Sequence, residues 1–124
     1  MKRILILDDD LAILDVMEEI LTYEGYSVKT FNTMDNIFTA IDNYKPDLVL
    51  IDYILTGING GELCAQIKKN PITHTLPVII MTAYSKVLLS LGTYGCDDFV
   101  SKPFDLDEFL HKVTSFTYNH NYIS

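Results

Sequence analysis

The sequence predicts an α/β fold in which a five-stranded, doubly wound parallel sheet carries helices on both faces. Strand-like and helix-like segments alternate five times along the 124 residues, and repeated strand–helix units favour parallel strands joined by right-handed crossovers. The apolar runs at residues 4–7 and 48–51 are typical of strands buried on both faces. Apolar residues make up 48% of the chain, which fits one compact domain of this length.

The first strand–helix unit spans residues 3–24. A short apolar run predicts a strand over residues 3–7. Helical spacing predicts a helix over residues 10–24, which Gly25 ends. The apolar face predicted for this helix consists of Ile13, Val16, Met17, Ile20 and Leu21.

The second and third units follow the same order. Residues 26–31 alternate in polarity, which indicates a strand near a sheet edge. A helix is predicted over residues 33–43, and residues 47–52 form the buried third strand. Asn59 is a candidate N-cap with Glu62 three residues later, so a helix should run from there to about residue 70. The inward positions predicted for helix 33–43 are Met34, Ile37, Phe38 and Ile41.

The last two units complete the sheet. Residues 76–82 read as a fourth buried strand and residues 97–101 as the fifth. A helix is predicted over residues 86–93, and it should be weak because Gly92 lies within it. The last predicted helix covers residues 105–116.

Composition excludes several classes of function. The net charge of −8 and the absence of a basic stripe argue against direct nucleic-acid binding. No apolar run reaches the ~20 residues of a membrane span, and the N-terminus does not resemble a signal peptide, so we expect a cytoplasmic protein. Cys64 and Cys96 lack metal-ligand spacing and are expected to be buried, reduced thiols.

Polar side chains gather where four predicted strands end. Asp8 and Asp9 follow the first strand, and Asp52 ends the third. Thr82 ends the fourth strand, and Lys102 follows the fifth. Because the carboxyl ends of parallel strands share one edge, these groups should meet. Two carboxylates ~5 Å apart repel by roughly 3 kcal/mol at an effective dielectric near 20, so the cluster needs a cation or a proton. Hard oxygen ligands without His or Cys favour Mg²⁺ over zinc.

Each of these residues also has a plain structural interpretation. The acids at residues 8–10 could cap a helix and complement its dipole. Asp52 could cap a turn, Thr82 fits ordinary strand propensity, and Lys102 before Pro103 could belong to a turn. Taken together, however, the residues fit a site for a phosphoryl group. They supply a carboxylate nucleophile, acids that can hold a metal ion, and a hydroxyl and an ammonium that can bind phosphate oxygens.

Five segments resemble the receiver domain of bacterial two-component response regulators. The resemblance covers nearly the whole chain and implies the flavodoxin-like (βα)5 receiver fold. The segments are ILILDDD at 4–10, PDLVLID at 46–52, GING at 57–60, PVIIMTA at 77–83 and KPF at 102–104.

The resemblance implies a role for each site residue. Asp52 would accept a phosphoryl group from a phosphohistidine, with Thr82 and Lys102 binding that group. Asp8 and Asp9 would hold Mg²⁺ together with Asp52 and the backbone carbonyl of Ile54. Thr82 and Phe99 match the switch positions of the family, and the Lys102–Pro103 bond would be cis.

The chain departs from the family pattern at three places. Thr56 replaces the usual proline after the phospho-acceptor. Phe99 lacks the hydroxyl of the commoner tyrosine, so a switch there would depend on ring burial. The stretch before Lys102 is about two residues short, and residues 85–95 form a poor helix.

The resemblance also implies partners. A sensor histidine kinase or histidine phosphotransfer protein would supply the phosphoryl group, and a downstream effector protein or a second copy of the chain would read it. Leu11 and Leu14 extend the apolar face of the first helix, so they either widen its core-facing surface or form a kinase docking surface.

Other functions stay open at this stage. The expected protein is a single receiver domain over residues 1–124 without an output domain, and it is not an enzyme beyond catalysing its own phosphorylation and dephosphorylation. An aspartyl phosphohydrolase is the main alternative, but that class needs a second Asp where Ile54 stands. A nucleotide binder lacks a Gly-rich loop here. A pseudo-receiver that acts only by protein contacts would not need the complete charged set.

Overall fold

The computed structural model describes residues 1–33, 35–55, 57–84, 86 and 95–118. Met34, Thr56 and all but the first residue of the helix predicted at 86–93 lie outside the described residues. Among the described residues, no helix is long and apolar enough to cross a membrane.

The central sheet has five parallel strands, as predicted. In chain order its strands are β1 (Arg3–Leu7), β2 (Ser27–Phe31), β3 (Leu48–Asp52), β6 (Val78–Thr82) and β7 (Asp98–Ser101). A short antiparallel pair, β4 (Ile54–Leu55) and β5 (Ile58–Asn59), stands apart from the sheet.

The strand order in the sheet is β2-β1-β3-β6-β7. The predicted edge position of residues 26–31 is confirmed, since β2 lies at one edge. The order reverses between β1 and β3, and open α/β sheets bind ligands outside the carboxyl ends of the strands at such a reversal.

Four helices flank the sheet among the residues described. They are α1 (Leu11–Tyr23), α2 (Ile37–Tyr44), α3 (Gly60–Lys69) and α4 (Leu106–Thr117). Each begins after an Asp or Asn whose side chain accepts hydrogen bonds from backbone N–H groups of the first turn, which satisfies otherwise unpaired donors. The predicted start of the second helix at residue 33 was wrong, because Asn36 caps α2 and fixes its first residue at Ile37.

Helices cover both faces of the sheet and create two cores. Alternate residues of β1 divide between them: Ile4 and Ile6 pack with α1 and α4, whereas Leu5 and Leu7 pack with α2 and α3. Strand β3 is buried along its whole length. The doubly wound, flavodoxin-like arrangement predicted from the sequence is confirmed.

The apolar face of α1 differs from the predicted stripe. The fully buried side chains are Leu14, Met17 and Leu21, whereas Val16 is 52% exposed. At 3.6 residues per turn Val16 lies about 200° around the helix from Leu14, so it faces away from the sheet. Leu14 therefore belongs to the core, and of the two leucines only Leu11 is exposed.

Candidate functional site

The register of the sheet brings the predicted site residues to one edge. Leu7, the residue before Asp8, pairs with Ile51, the residue before Asp52. On the other side, Thr82 pairs with Ser101, the residue before Lys102. The carboxyl ends of four neighbouring strands therefore present their polar residues together, as the sequence predicted.

Lys102 joins two of the acids. Its ammonium nitrogen lies 2.7 Å from Oδ2 of Asp8 and 2.8 Å from Oδ1 of Asp52. Asp8 is fully buried, and its Oδ1 also accepts a hydrogen bond from the backbone N–H of Asp10 at 2.9 Å. A buried carboxylate is tolerated only when it is paired and hydrogen-bonded. Lys102 therefore offsets part of the negative charge of Asp8 and Asp52.

The backbone fixes Lys102 in this position. Its N–H donates to the carbonyl oxygen of Thr82 at 2.8 Å, continuing the pairing between β6 and β7 by one residue. The Lys102–Pro103 peptide bond is cis, as expected.

Asp10 has the plain structural role considered for all three acids. Its Oδ1 accepts hydrogen bonds from the N–H groups of Ala12 and Ile13, so it caps α1. The three consecutive acids thus divide between two tasks: Asp10 starts the helix, and Asp8 and Asp9 face Asp52.

Among the side chains described at this edge, the three carboxylates of Asp8, Asp9 and Asp52 face the single ammonium of Lys102. Burial raises the pKa of Asp52 above its ordinary value, and the charges of Asp8 and Asp9 raise it further, although the hydrogen bond from Lys102 opposes them. Burial alone would lower the pKa of Lys102, but its hydrogen bonds to Asp52 and Asp8 outweigh burial and raise it. Lys102 therefore stays protonated, while the three carboxylates call for a further cation.

The donor set fits a hard divalent cation. One oxygen from each of Asp8, Asp9 and Asp52 lies within 4.8 Å of the others. Carboxylate oxygens suit Mg²⁺, and Asp9 is exposed, so the cluster is open to the water ligands that Mg²⁺ retains. The residues present thus fit the metal that the sequence suggested.

A small cavity adjoins Asp52. It has a volume of about 170 Å³, and its walls include Ile54, Thr82, Tyr84 and Lys102. The hydroxyl oxygen of Thr82 accepts a hydrogen bond from the N–H of Tyr84 at 2.8 Å, which leaves the hydroxyl hydrogen available for a ligand in the cavity. Since one water occupies ~30 Å³ in the liquid, the cavity can hold one small oxyanion with water.

Ile54 and Tyr84 form the rim of this cavity. Their side chains are 55% and 51% exposed. Ile54 begins β4 and pairs with Asn59 of the antiparallel strand β5.

Gly60 supports the site in a way that the sequence analysis did not identify. The first residue of α3 packs on the backbone of Asp52, and a Cβ at Gly60 would overlap the Asp52 carbonyl oxygen. The N–H of Gly60 also donates to the carbonyl oxygen of Tyr53 at 2.8 Å. The glycine pair directly after the Asn59 cap was the available signal, since glycine marks close backbone approach.

Phe99 lies on β7, three residues before Lys102. Its side chain is half-buried against the core shared with α2 and α3. The Lys112 ammonium lies 5.1 Å from the centre of the Phe99 ring and donates to the Phe99 carbonyl oxygen at 2.6 Å.

The family model that matches the chain is the response regulator receiver domain, over residues 4–114. Among curated relatives, the response regulator ArlR of Staphylococcus aureus is 36% identical over 116 residues, which cover 91% of this chain and 51% of ArlR. The chain thus spans about half the length of the curated relatives it matches.

Solved structures show the same fold. The response regulator TrrA of Thermotoga maritima, solved with Mg²⁺-BeF, is 33% identical with a TM-score of 0.83, over 94% of this chain and 99% of that one. A putative response regulator of Chloroflexus aurantiacus is 28% identical with a TM-score of 0.84, over 93% and 96% of the two chains. Sequence and fold therefore agree that this chain belongs to the family of response regulator receiver domains.

Proposed function

We propose that Asp52 is the phospho-acceptor of this receiver domain. Receiver domains of two-component systems accept a phosphoryl group on an aspartate with the help of Mg²⁺. The observation that supports the assignment is the position of Asp52 at the end of β3, between the Lys102 ammonium and the carboxylates of Asp8 and Asp9.

The reaction follows from the groups around Asp52. An Asp52 carboxylate oxygen attacks the phosphorus of a phosphohistidine, the P–N bond breaks, and the imidazole leaves with the bonding electron pair. The product is an acyl phosphate on Asp52. The cavity beside Asp52 receives the phosphoryl oxygens, where Lys102 binds them by charge and Thr82 donates its hydroxyl hydrogen.

Asp8, Asp9, Asp52 and the backbone carbonyl of Ile54 would hold Mg²⁺ in this site. The metal, when bound, supplies positive charge that offsets the repulsion between the carboxylates and the incoming phosphoryl oxygens. Asp8 stays paired with Lys102 in the same cluster, so it both supports the lysine and adds to the negative charge that attracts the cation.

The conformational signal would begin at Thr82 and reach Phe99. A Thr82 hydroxyl that turns toward the phosphoryl group changes its hydrogen bond with the N–H of Tyr84. Phe99 lies on the neighbouring strand in a half-buried position, from which the ring can become more or less buried. The Phe99 ring has no hydroxyl group that could form a hydrogen bond, so this switch depends on how the ring packs.

The donor in this proposal is a sensor histidine kinase or a histidine phosphotransfer protein. Residues 1–124 act as one receiver domain that catalyses only its own phosphorylation and dephosphorylation. Its output passes to an effector protein or to a second copy of the chain. The phosphohydrolase and pseudo-receiver alternatives are not favoured, because Ile54 cannot serve as an acid and the charged set is complete.

Intact-mass spectrometry after incubation with acetyl phosphate and Mg²⁺ tests the proposal. Wild type should gain one phosphoryl group, and EDTA should prevent the gain. Asp52→Asn should gain none, whereas Asp10→Asn should react like wild type because Asn can also cap α1. Equal phosphorylation of wild type and Asp52→Asn would contradict the assignment, and phosphate release from generic phosphoesters would favour a hydrolase.

A further inference from the structure

Cys64 and Cys96 are neighbours in the fold although 32 positions separate them in the sequence. Cys64 is fully buried on α3 and belongs to the core formed with α2, and Cys96 packs against the same core. Both are in the thiol form. Cys96 is only half-buried, so it is the more accessible residue of the pair.

The contacts on either side of the pair fix the two backbones. Lys68 lies one helical turn after Cys64, and its ammonium is 2.6 Å from the carboxylate of Asp97, the residue after Cys96. On the other side of Cys96, a methyl group at the Cα of Gly95 would be 3.8 Å from Cβ of Lys68. Residues 95–97 therefore run along the turn of α3 that carries Cys64.

The strand next to this segment holds it in place. The N–H of Asp97 donates to the Val78 carbonyl oxygen at 2.9 Å, and the Asp97 carboxylate accepts from the Val78 N–H at 2.8 Å. Asp97, the residue after Cys96, is thus attached to the start of β6 and to α3 at the same time. The two thiols meet because rigid elements bring them together.

The Cys64 thiol is hydrogen-bonded to the side chain of Cys96. This bond raises the pKa of Cys64, and burial raises it further, so Cys64 stays protonated. A disulfide requires the sulfur atoms to close from hydrogen-bond contact to ~2.05 Å.

We propose that Cys64 and Cys96 form an oxidation site at which hydrogen peroxide produces a reversible intramolecular disulfide between α3 and the segment just before β7. A plain structural pair of buried thiols would instead be inert to peroxide. The half-buried position of Cys96 and the direct contact between the thiols favour the reactive alternative.

The chemistry needs one peroxide molecule and no other reactant. The Cys96 sulfur attacks one peroxide oxygen, the O–O bond breaks, and Cys96 becomes a sulfenic acid as the first water forms. The Cys64 sulfur then attacks the Cys96 sulfur, the S–O bond breaks, and the departing oxygen takes up the Cys64 proton to form the second water. Two thiols lose two electrons and two protons, and the peroxide is reduced to two waters.

The bridge would connect two elements that position the phosphorylation site. Helix α3 begins on the backbone of Asp52, and β7 leads from Asp98 directly to Lys102. The proposal does not depend on phosphorylation, however, because it concerns only the two thiols and peroxide.

The test treats the folded wild-type chain with a small excess of hydrogen peroxide, blocks remaining thiols with N-ethylmaleimide in denaturant, and measures the peptides that contain Cys64 and Cys96. We expect a cross-linked peptide pair, two hydrogens lighter than the reduced peptides, with no maleimide on either. Dithiothreitol should restore two maleimide adducts.

Two variants identify the order of the steps. Cys64→Ala should leave Cys96 as a sulfenic acid that dimedone traps, whereas Cys96→Ser should leave Cys64 unoxidised. Full maleimide labelling of peroxide-treated wild type, oxygen addition without a cross-link, or a disulfide between two chains would each overturn the proposal. The wild-type measurement decides the matter even if a variant folds poorly.

Discussion

The ammonium of Lys102 lies 2.8 Å from the carboxylate of Asp52, although 50 positions separate the two residues in the sequence. The same nitrogen lies 2.7 Å from Asp8. One lysine is thus shared by two acids, while the third acid of the cluster, Asp9, lies within reach of both. The stability of the fold and the function of the site should both depend on how the remaining negative charge of the three carboxylates is balanced.

Removal of the lysine charge should destabilise the fold. Lys102→Met leaves Asp8 and Asp52 without their ammonium, and loss of one member of a buried ion pair costs about 3 kcal/mol. Urea denaturation at pH 7, followed by circular dichroism, measures this loss. Lys45→Met is the control, because its ion pair with Asp42 is exposed and should cost less than ~0.5 kcal/mol. Similar losses in both variants would show that Lys102 does not balance a buried charge.

The pH dependence of stability should identify Asp52. Its pKa in the folded state is raised above the ordinary 3.8, so its stabilising contribution is fully present below pH 3.8 and is lost as pH rises through the folded pKa. Asn cannot ionise. The free energy of unfolding of Asp52→Asn should therefore increase relative to wild type between pH 4 and pH 7.

Metal-free urea denaturation across that pH range checks this prediction. The pKa of Lys102 is also raised, but its contribution is lost only as pH rises through a value above the ordinary 10.5, outside the range measured. Asp42→Asn, at an exposed site, serves as the control. A difference between Asp52→Asn and wild type that stays constant or falls toward pH 7 would contradict the predicted direction.

Mg²⁺ should stabilise the folded chain through Asp9. At a concentration tenfold above its dissociation constant, a ligand that binds only the folded state adds about 1.4 kcal/mol. Thermal unfolding should show this gain in wild type and lose it in Asp9→Asn. The neighbouring Asp10→Asn keeps a capping side chain and should respond like wild type. An unchanged Mg²⁺ response in Asp9→Asn would remove Asp9 from the metal site.

A methyl group at Gly60 should damage both the fold and the site. Replacing Gly by Ala normally favours a helix by up to ~1 kcal/mol, but here the new Cβ would overlap the Asp52 carbonyl oxygen. Overpacking of this kind typically costs 1–3 kcal/mol, so we expect a net loss of roughly 1–2 kcal/mol.

Gly60→Ala should also phosphorylate more slowly with acetyl phosphate, because α3 must move away from the backbone of Asp52. Gln66→Ala, at an exposed position of the same helix, controls for general effects on α3. A Gly60→Ala variant as stable and as reactive as wild type would mean that the contact with Asp52 relaxes at no cost.

The charged site was predictable from the sequence because strand periodicity fixes which residues end each strand. Apolar runs ending in Asp52 and leading into Asp8 indicated neighbouring buried strands, and parallel pairing then required their acids to meet. The close approach of Gly60 to Asp52 was not predictable in this way, since it depends on how α3 packs on the loop after β3.

Helix faces were less predictable than strand ends. The apolar residues of α1 extend more than halfway around the helix, so periodicity alone could not show that Leu14 faces the sheet and Val16 does not. The start of α2 was misplaced because the apolar spacing continues through residue 34, while the capping side chain of Asn36 determines the first turn. Where the apolar periodicity was ambiguous, the hydrogen bonds of the capping side chain determined where the helix begins.

The most direct test of the central claim locates the phosphoryl group on the chain. Wild type is phosphorylated with acetyl phosphate and Mg²⁺ and then reduced with borohydride, which converts an acyl phosphate of aspartate into homoserine. Peptide sequencing by mass spectrometry should find homoserine at position 52 and aspartate at positions 8 and 9. Homoserine at another aspartate, with position 52 unchanged, would contradict the account.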